Sequence, residues 1–197
     1  MRKYLVPKKV SKAMNMDRIM IPREKAEAVQ LLILDVDGVL TDGQIILTEQ
    51  GEEIKSFHAR DGHGLRMLMD EGIEVVFISG RRSKAVDCRA RDLGVQEVHQ
   101  GVRDKGPLCE KIIRERRLKK EEVCCVGDDL PDLPLFEKAG ISFAVSDASA
   151  VMKDLADYVT SERGGYGAVR EVCEIILESR GKVLLGLKQN TSLHTRT

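Results

Sequence analysis

At 197 residues, with 42% apolar and 32% charged side chains, the chain suits one soluble globular domain able to bury a sizeable core. Thirty-two basic residues balance thirty-two acidic ones, so no global field argues for nucleic acid or a membrane surface, and attraction for an anion must come from local arrangement. No apolar run approaches the roughly 20 residues a membrane helix requires, and the basic stretch Met1–Asn15 lacks the apolar segment of a secretory signal.

Gln30–Val36 (QLLILDV) is a continuous apolar run ending in carboxylates, the form of a buried parallel strand. In Gln44–His58, the residues Ile45, Leu47, Ile54 and Phe57 flank Glu49-Gln50-Gly51, which predicts a β-hairpin inserted after that strand. Glu74–Ser79 (EVVFIS) and Glu122–Gly127 (EVCCVG) repeat the form of the first strand, and weaker strands are predicted at Gln96–His99, Ile141–Ala144 and Tyr158–Thr160. Helices are predicted near 62–71, 82–92, 105–117, 131–138 and 166–179, the last carrying the stripe Val169, Val172, Cys173, Ile176, Leu177. Strands alternating with helices of this length imply an α/β fold with a doubly wound parallel sheet. The ends, about 1–20 and 187–197, show little periodicity and are expected to be mobile. Five cysteines (Cys88, Cys109, Cys124, Cys125, Cys173) sit in apolar patterns without CxxC spacing or a Cys/His cluster. That predicts small buried residues in a reducing cytoplasm rather than disulfides or a zinc site.

Each strong strand ends in polar residues, and ligands bind outside the carboxyl ends of parallel strands. Those ends carry Asp35-Val36-Asp37-Gly38, Ser79-Gly80-Arg81 and Gly127-Asp128-Asp129, while Lys105 opens a helix between the last two. This inventory suits phosphoryl transfer. Two carboxylates at alternate positions let one attack phosphorus while the other serves as acid or base. A carboxylate from a distant strand can complete an oxygen-rich magnesium site. A hydroxyl and an ammonium can hold the phosphoryl oxygens and neutralise developing charge, and Gly38 lets backbone amides approach the same anion. Taken singly, Asp-x-Asp and Ser-Gly are common turns, and Gly-Asp-Asp is a common helix cap. Their joint placement at strand ends, in a consistent order, is what points to chemistry.

The segments Asp35-Val36-Asp37-Gly38-Val39-Leu40-Thr41-Asp42, Ser79, Lys105 and Gly127-Asp128-Asp129-x-x-Asp132 resemble the four motifs of the haloacid dehalogenase superfamily. Phe57–Gly64 (FHARDGHG), Ile78–Arg81 (ISGR) and Gly164–Glu171 (GGYGAVRE) are further similar to its capless 3-deoxy-D-manno-octulosonate 8-phosphate phosphatases, and the likeness spans roughly residues 28–180. It implies a Rossmann-like core at 28–180 with the hairpin insert at 44–58 and no large cap domain, between an N-terminal extension, 1–27, and a C-terminal tail, 181–197.

The same resemblance implies the division of roles. Asp35 is the expected nucleophile, Asp37 the general acid and base, and Ser79 and Lys105 the phosphate-binding pair. Magnesium is expected on Asp35, Asp128 and the main-chain carbonyl of Asp37, with Asp129 and Asp132 behind them orienting Asp128 or metal-bound water. The substrate-contacting positions are Asp37, His58, Ala59, Arg60, Asp61, Gly62, Arg66, Arg81, Arg89 and Lys105. The planar fork of arginine suits the carboxylate and phosphate of a sugar acid phosphate. His58 departs from the asparagine usual in the family, which leaves a nine-carbon ulosonic acid 9-phosphate as the alternative substrate. A silent oligomeric scaffold and a phosphomutase are the other readings; the complete set of motif residues disfavours the first, and the lack of a cap insert the second. The family also implies a cytoplasmic homotetramer in lipopolysaccharide biosynthesis, with hairpin and tail of one subunit closing a neighbour's site. The apolar residues Ile45, Ile46, Leu47 and Ile54 independently call for a partner surface.

Overall fold

Leu31–Leu34, the heart of the most apolar run in the chain, is wholly buried and forms the centre of the sheet. A computed structural model describes residues 22–182, so the end segments 1–20 and 187–197 lie outside the described residues. In chain order the elements are α1 (Arg23–Glu27), β1 (Leu31–Leu34), β2 (Ile46–Leu47), β3 (Glu53–Ile54), α2 (Ala59–Asp70), β4 (Glu74–Ser79), α3 (Lys84–Leu93) and β5 (Glu97–Gln100). They continue with α4 (Lys105–Glu115), β6 (Val123–Gly127), α5 (Leu133–Lys138), β7 (Ile141–Ala144), α6 (Ala150–Leu155), β8 (Tyr158–Val159) and α7 (Ala168–Ser179).

Six strands form one sheet in the order β5-β4-β1-β6-β7-β8, every pair parallel. The chain lays down β4 and β5 on one side of β1, then returns to place β6, β7 and β8 on the other. That reversal makes the carboxyl end of β1 the switch point where such sheets open a crevice. The apolar runs of β1, β4 and β6 need cover on both faces, and the buried stripes of α2, α4 and α7 supply it. No cap domain interrupts the described residues. Among the described residues, the only insert after β1 is the antiparallel β2–β3 hairpin, in which Ile46 pairs with Ile54.

Several expectations need correction. Helix α2 starts at Ala59 rather than near 62, because Gly62 and Gly64 weaken the helical signal of its first turns. The segment predicted as one helix over 131–138 is a 3₁₀ turn, Leu130–Asp132, followed by α5, with Pro131 and Pro134 at the two starts. Helices α1 and α6 were not anticipated, since five- and six-residue elements carry too little periodicity. Helix α1 lies in the segment read as an extension, yet Ala26 is buried and the Arg23 guanidinium donates to the Ser179 carbonyl of α7 at 2.9 Å. Among the cysteines, Cys88 is exposed while the other four are buried. The polar neighbours of Cys88 on α3 face solvent and carry it with them.

Candidate active site

The loop after β1 turns back on itself at once. The amides of Val39, Leu40 and Thr41 all point at the Val36 carbonyl, and the Thr41 hydroxyl accepts from Gly38 and Gly43. Asp35 continues the sheet ladder, its amide donating to Val126 at 3.1 Å, which fixes its carboxyl at the mouth of the central strands. Gly38 sits at φ +99°, and a Cβ there would stand 2.2 Å from Asp128 Oδ2. A glycine is what allows the loop after β1 and the loop after β6 to touch.

Three carboxylates meet at this mouth. Asp35, Asp128 and Asp132 each present an oxygen within 4.8 Å of the others. Lys105, the first residue of α4 and 2% exposed, donates to both Asp35 and Asp132 at 2.5 Å. The second oxygen of Asp132 accepts the Asp128 amide at 3.0 Å. Both Asp132 oxygens are therefore engaged, which suits the orienting role expected of it. Asp129 is exposed.

One ammonium does not balance three buried or half-buried carboxylates. Burial, and then Asp132, pushes the Asp35 carboxyl up to about 7 against the pull of Lys105. Burial, followed by Asp35, Asp132 and Asp129, pushes Asp128 up to about 8. For Lys105 burial works against the charge, but Asp35 and Asp132 outweigh it and the ammonium is held more tightly than usual. A hard divalent cation among these oxygens would relieve the repulsion, and the all-oxygen donor set fits magnesium.

The excess charge has a thermodynamic sign. Raised carboxyl pKa values mean that the metal-free folded protein binds protons which the unfolded chain releases above about pH 4. Stability therefore falls as pH rises from about 4 and levels off once both carboxyls are ionised, above about pH 8. Thermal melting in chelator should show a lower Tm at pH 8 than at pH 6, and added magnesium should raise Tm more at pH 8. Asp128→Asn should flatten the chelator profile; an unchanged slope would remove the carboxylate cluster as its source.

The Asp37 carboxyl faces a different set. Its Oδ2 accepts from the Ser79 hydroxyl at 3.2 Å, and its Oδ1 accepts from the ammonium of Lys55. Ser79 in turn accepts the Arg81 amide at 3.1 Å. Lys55 also donates to Glu53 at 2.8 Å, and Arg81 Nε reaches the same Glu53 oxygen at 3.2 Å. Burial opposes the Lys55 charge, but Asp37 and Glu53 outweigh it and keep the amine protonated.

Of the other residues singled out in the sequence, His58 precedes α2, while Ala59, Arg60, Asp61 and Gly62 form its first turn. Asp61 is buried and accepts the Arg170 amide at 2.8 Å, which ties α2 to α7. Arg60 is exposed. Arg66 and Arg89 are not gathered with the carboxylates. Both bond to Asp92 of α3, and Arg89 also lies 6.0 Å over the Phe57 ring. Gly164 and Gly165 press directly on the loop after β1, the Gly165 amide donating to Val39 at 2.9 Å. Lys55 and Glu53 escaped the sequence reading. Their signal was the strand alternation, which sets Glu53, Lys55 and Phe57 inward between exposed Ile54 and Ser56.

A family model for haloacid dehalogenase-like hydrolases matches residues 94–171. The chain is 46% identical over 159 residues to the 3-deoxy-D-manno-octulosonate 8-phosphate phosphatase KdsC of Escherichia coli K12, covering 81% of this chain and 85% of that protein. Among solved structures it resembles the Moraxella catarrhalis 3-deoxy-D-manno-octulosonate 8-phosphate phosphatase in complex with magnesium, phosphate and KDO. The TM-score is 0.81 at 37% identity, over 85% of this chain and 97% of that one. It is also similar to the cobalt-bound Haemophilus influenzae phosphatase YrbI, with TM-score 0.79 and 42% identity over 84% and 97% of the two chains.

Proposed function

The chain belongs to the 3-deoxy-D-manno-octulosonate 8-phosphate phosphatases of the haloacid dehalogenase-like hydrolases, and we propose from that membership how its residues do the work. It is a magnesium-dependent phosphomonoesterase that releases phosphate and the eight-carbon sugar acid. The observation that carries this reading is the Asp35 carboxyl at the end of the central strand, bonded to Lys105 and facing Asp128.

Asp35 attacks phosphorus and forms an aspartyl phosphate. Asp37 gives a proton to the departing sugar oxygen, then takes one from the water that hydrolyses the intermediate. Lys105 and Ser79 bind the phosphoryl oxygens, where their charge and hydroxyl offset the negative charge that develops. Asp35, Asp128 and the Asp37 main-chain carbonyl would hold magnesium, which supplies positive charge beside the phosphoryl group when bound. Asp132 keeps Asp128 and Lys105 in register. The first turn of α2, with His58, and Arg81 receive the sugar acid; Arg66 and Arg89, being engaged with Asp92, reach it only if those bonds open.

Phosphate release from octulosonate 8-phosphate, with and without magnesium, tests the assignment against a nine-carbon ulosonic acid 9-phosphate. Faster turnover of the nine-carbon compound would move the substrate. The product suits lipopolysaccharide assembly in the cytoplasm, and no described helix is long and apolar enough to cross a membrane.

The working form is a homotetramer whose hairpins complete neighbouring sites. In support, Ile45, Ile46, Leu47 and Ile54 are between 46% and 59% exposed beside the nucleophile loop. Burying one such side chain contributes about 1.5–3 kcal/mol. Ile46 and Ile54 are cross-strand partners, so replacing both with Asp puts two charges in one patch, at several kcal/mol if buried unpaired. Light scattering should show a smaller species, and activity should drop about 10- to 100-fold with the lost positioning. A fully active monomer would refute the shared site.

A further inference from the structure

The hairpin does more in this fold than carry apolar residues outward. Its inner face carries Glu53 and Lys55, whose side chains are 9% and 1% exposed although the outer face of the hairpin is open to solvent. A buried ammonium needs partners, and among the described residues this one has Asp37 and Glu53. Glu53 bonds Arg81, the Arg81 amide bonds Ser79, and Ser79 bonds Asp37, so the contacts close into a ring. The ring joins three separate pieces of chain: the loop after β1, the hairpin and the end of β4.

We propose that Lys55 is a positioning residue that anchors Asp37 through Oδ1 and leaves Oδ2 as the oxygen that moves the proton. The two oxygens of Asp37 differ in what holds them. Oδ2 is held by the Ser79 hydroxyl, which a phosphoryl oxygen would draw away on substrate binding. Oδ1 is held by an ammonium whose other contact, Glu53, belongs to the same hairpin and is not displaced by phosphate. When substrate arrives, Ser79 turns to it and Oδ2 is released, while Lys55 keeps the carboxyl plane fixed. The hairpin thereby sets the aim of the acid and base. This inference rests on the reading of Asp37 as the proton donor.

A series of aryl phosphates tests it, because none carries the sugar carboxylate that Lys55 could otherwise contact. For the magnesium-loaded enzyme, log kcat/KM is plotted against the basicity of the leaving phenol, from p-nitrophenyl to phenyl phosphate. A badly aimed proton donor harms the more basic leaving group. Lys55→Met should lose about 10- to 100-fold on phenyl phosphate, the lower part of what a general acid contributes, and no more than about 3-fold on p-nitrophenyl phosphate. Lys55→Arg, which keeps a charged donor at similar reach, should return the slope toward that of the parent. If Lys55→Met fails to fold, Lys55→Gln is read by the same slope, which should again be steeper than the parent's.

Asp37→Asn is the reference. It should steepen the slope at least as much. If it does and the Lys55 variants lose equally on both esters, or lose nothing, the anchoring role is wrong while the reading of Asp37 stands. If Asp37→Asn leaves the slope unchanged, the proton-donor reading falls and the anchoring role with it.

Discussion

Asp35→Asn should lower turnover of octulosonate 8-phosphate by on the order of 10⁴-fold or more, the scale on which a covalent nucleophile's removal is felt. The amide cannot attack phosphorus, and no second carboxylate occupies its place at the end of β1. The same change should leave the metal-free protein as stable as the parent, or more so. Asp35 is 5% exposed and crowded by Asp132, and burial already favours its neutral form. Lys105 would keep Asp132 as its partner. Activity and Tm moving in opposite directions is the informative pattern. Substantial turnover in a variant whose amide is confirmed by mass spectrometry would exclude Asp35 as nucleophile.

Gly164→Ala is the second change with a large expected effect, although residue 164 carries no functional group. A Cβ at this position would stand 1.7 Å from the Gly38 carbonyl oxygen and 2.6 Å from its carbon. Those are backbone atoms, so one of the two loops has to move. The neighbouring Gly165, at φ +70°, would meet the Thr41 backbone in the same way. Overpacking of this kind costs about 1–3 kcal/mol, which a domain stable by about 5–15 kcal/mol survives. Displacing the nucleophile loop by ~1 Å should cost about 100-fold in kcat/KM. Gly72→Ala is the control: Gly72 has positive φ, but its Cβ would meet nothing within 4 Å. That control should lose a little stability and no activity. Wild-type kcat/KM in Gly164→Ala would mean that the glycine loop does not hold the nucleophile loop in place.

The fold was legible because β1, β4 and β6 are buried on both faces, and continuous apolar runs leave few other structures open to them. The ends of β1, β4 and β6 then bring Asp35, Ser79 and Asp128 together, with Lys105 at the start of α4 beside them, since a parallel sheet aligns all its carboxyl ends. What stayed hidden depends on side-chain reach rather than on element ends. Lys55 and Glu53 look like the polar face of any exposed hairpin, and only the tertiary path of β3 turns that face inward. Arg66 and Arg89 show the reverse case. Residue type and family pattern pointed them at substrate, but both are bonded to Asp92, an acceptor that a linear reading does not distinguish from other surface aspartates. The helices α1 and α6 were too short to announce themselves.

The grip of the glycine loop on the nucleophile loop also orders events on the ribosome. Asp35 emerges early, but its strand has no parallel neighbour until residues 74–79 are made and is not flanked on both sides until 123–127 follow. Gly165, whose amide fastens Val39, comes 130 positions after Asp35. At about 5–20 residues per second, that interval is roughly 7 to 26 seconds of synthesis. Throughout it the growing chain holds a nucleophile with no fixed seat. An interrupted translation product therefore carries the conspicuous motif yet no competent hydrolase, and the enzyme switches on only when its last quarter has folded back over its first.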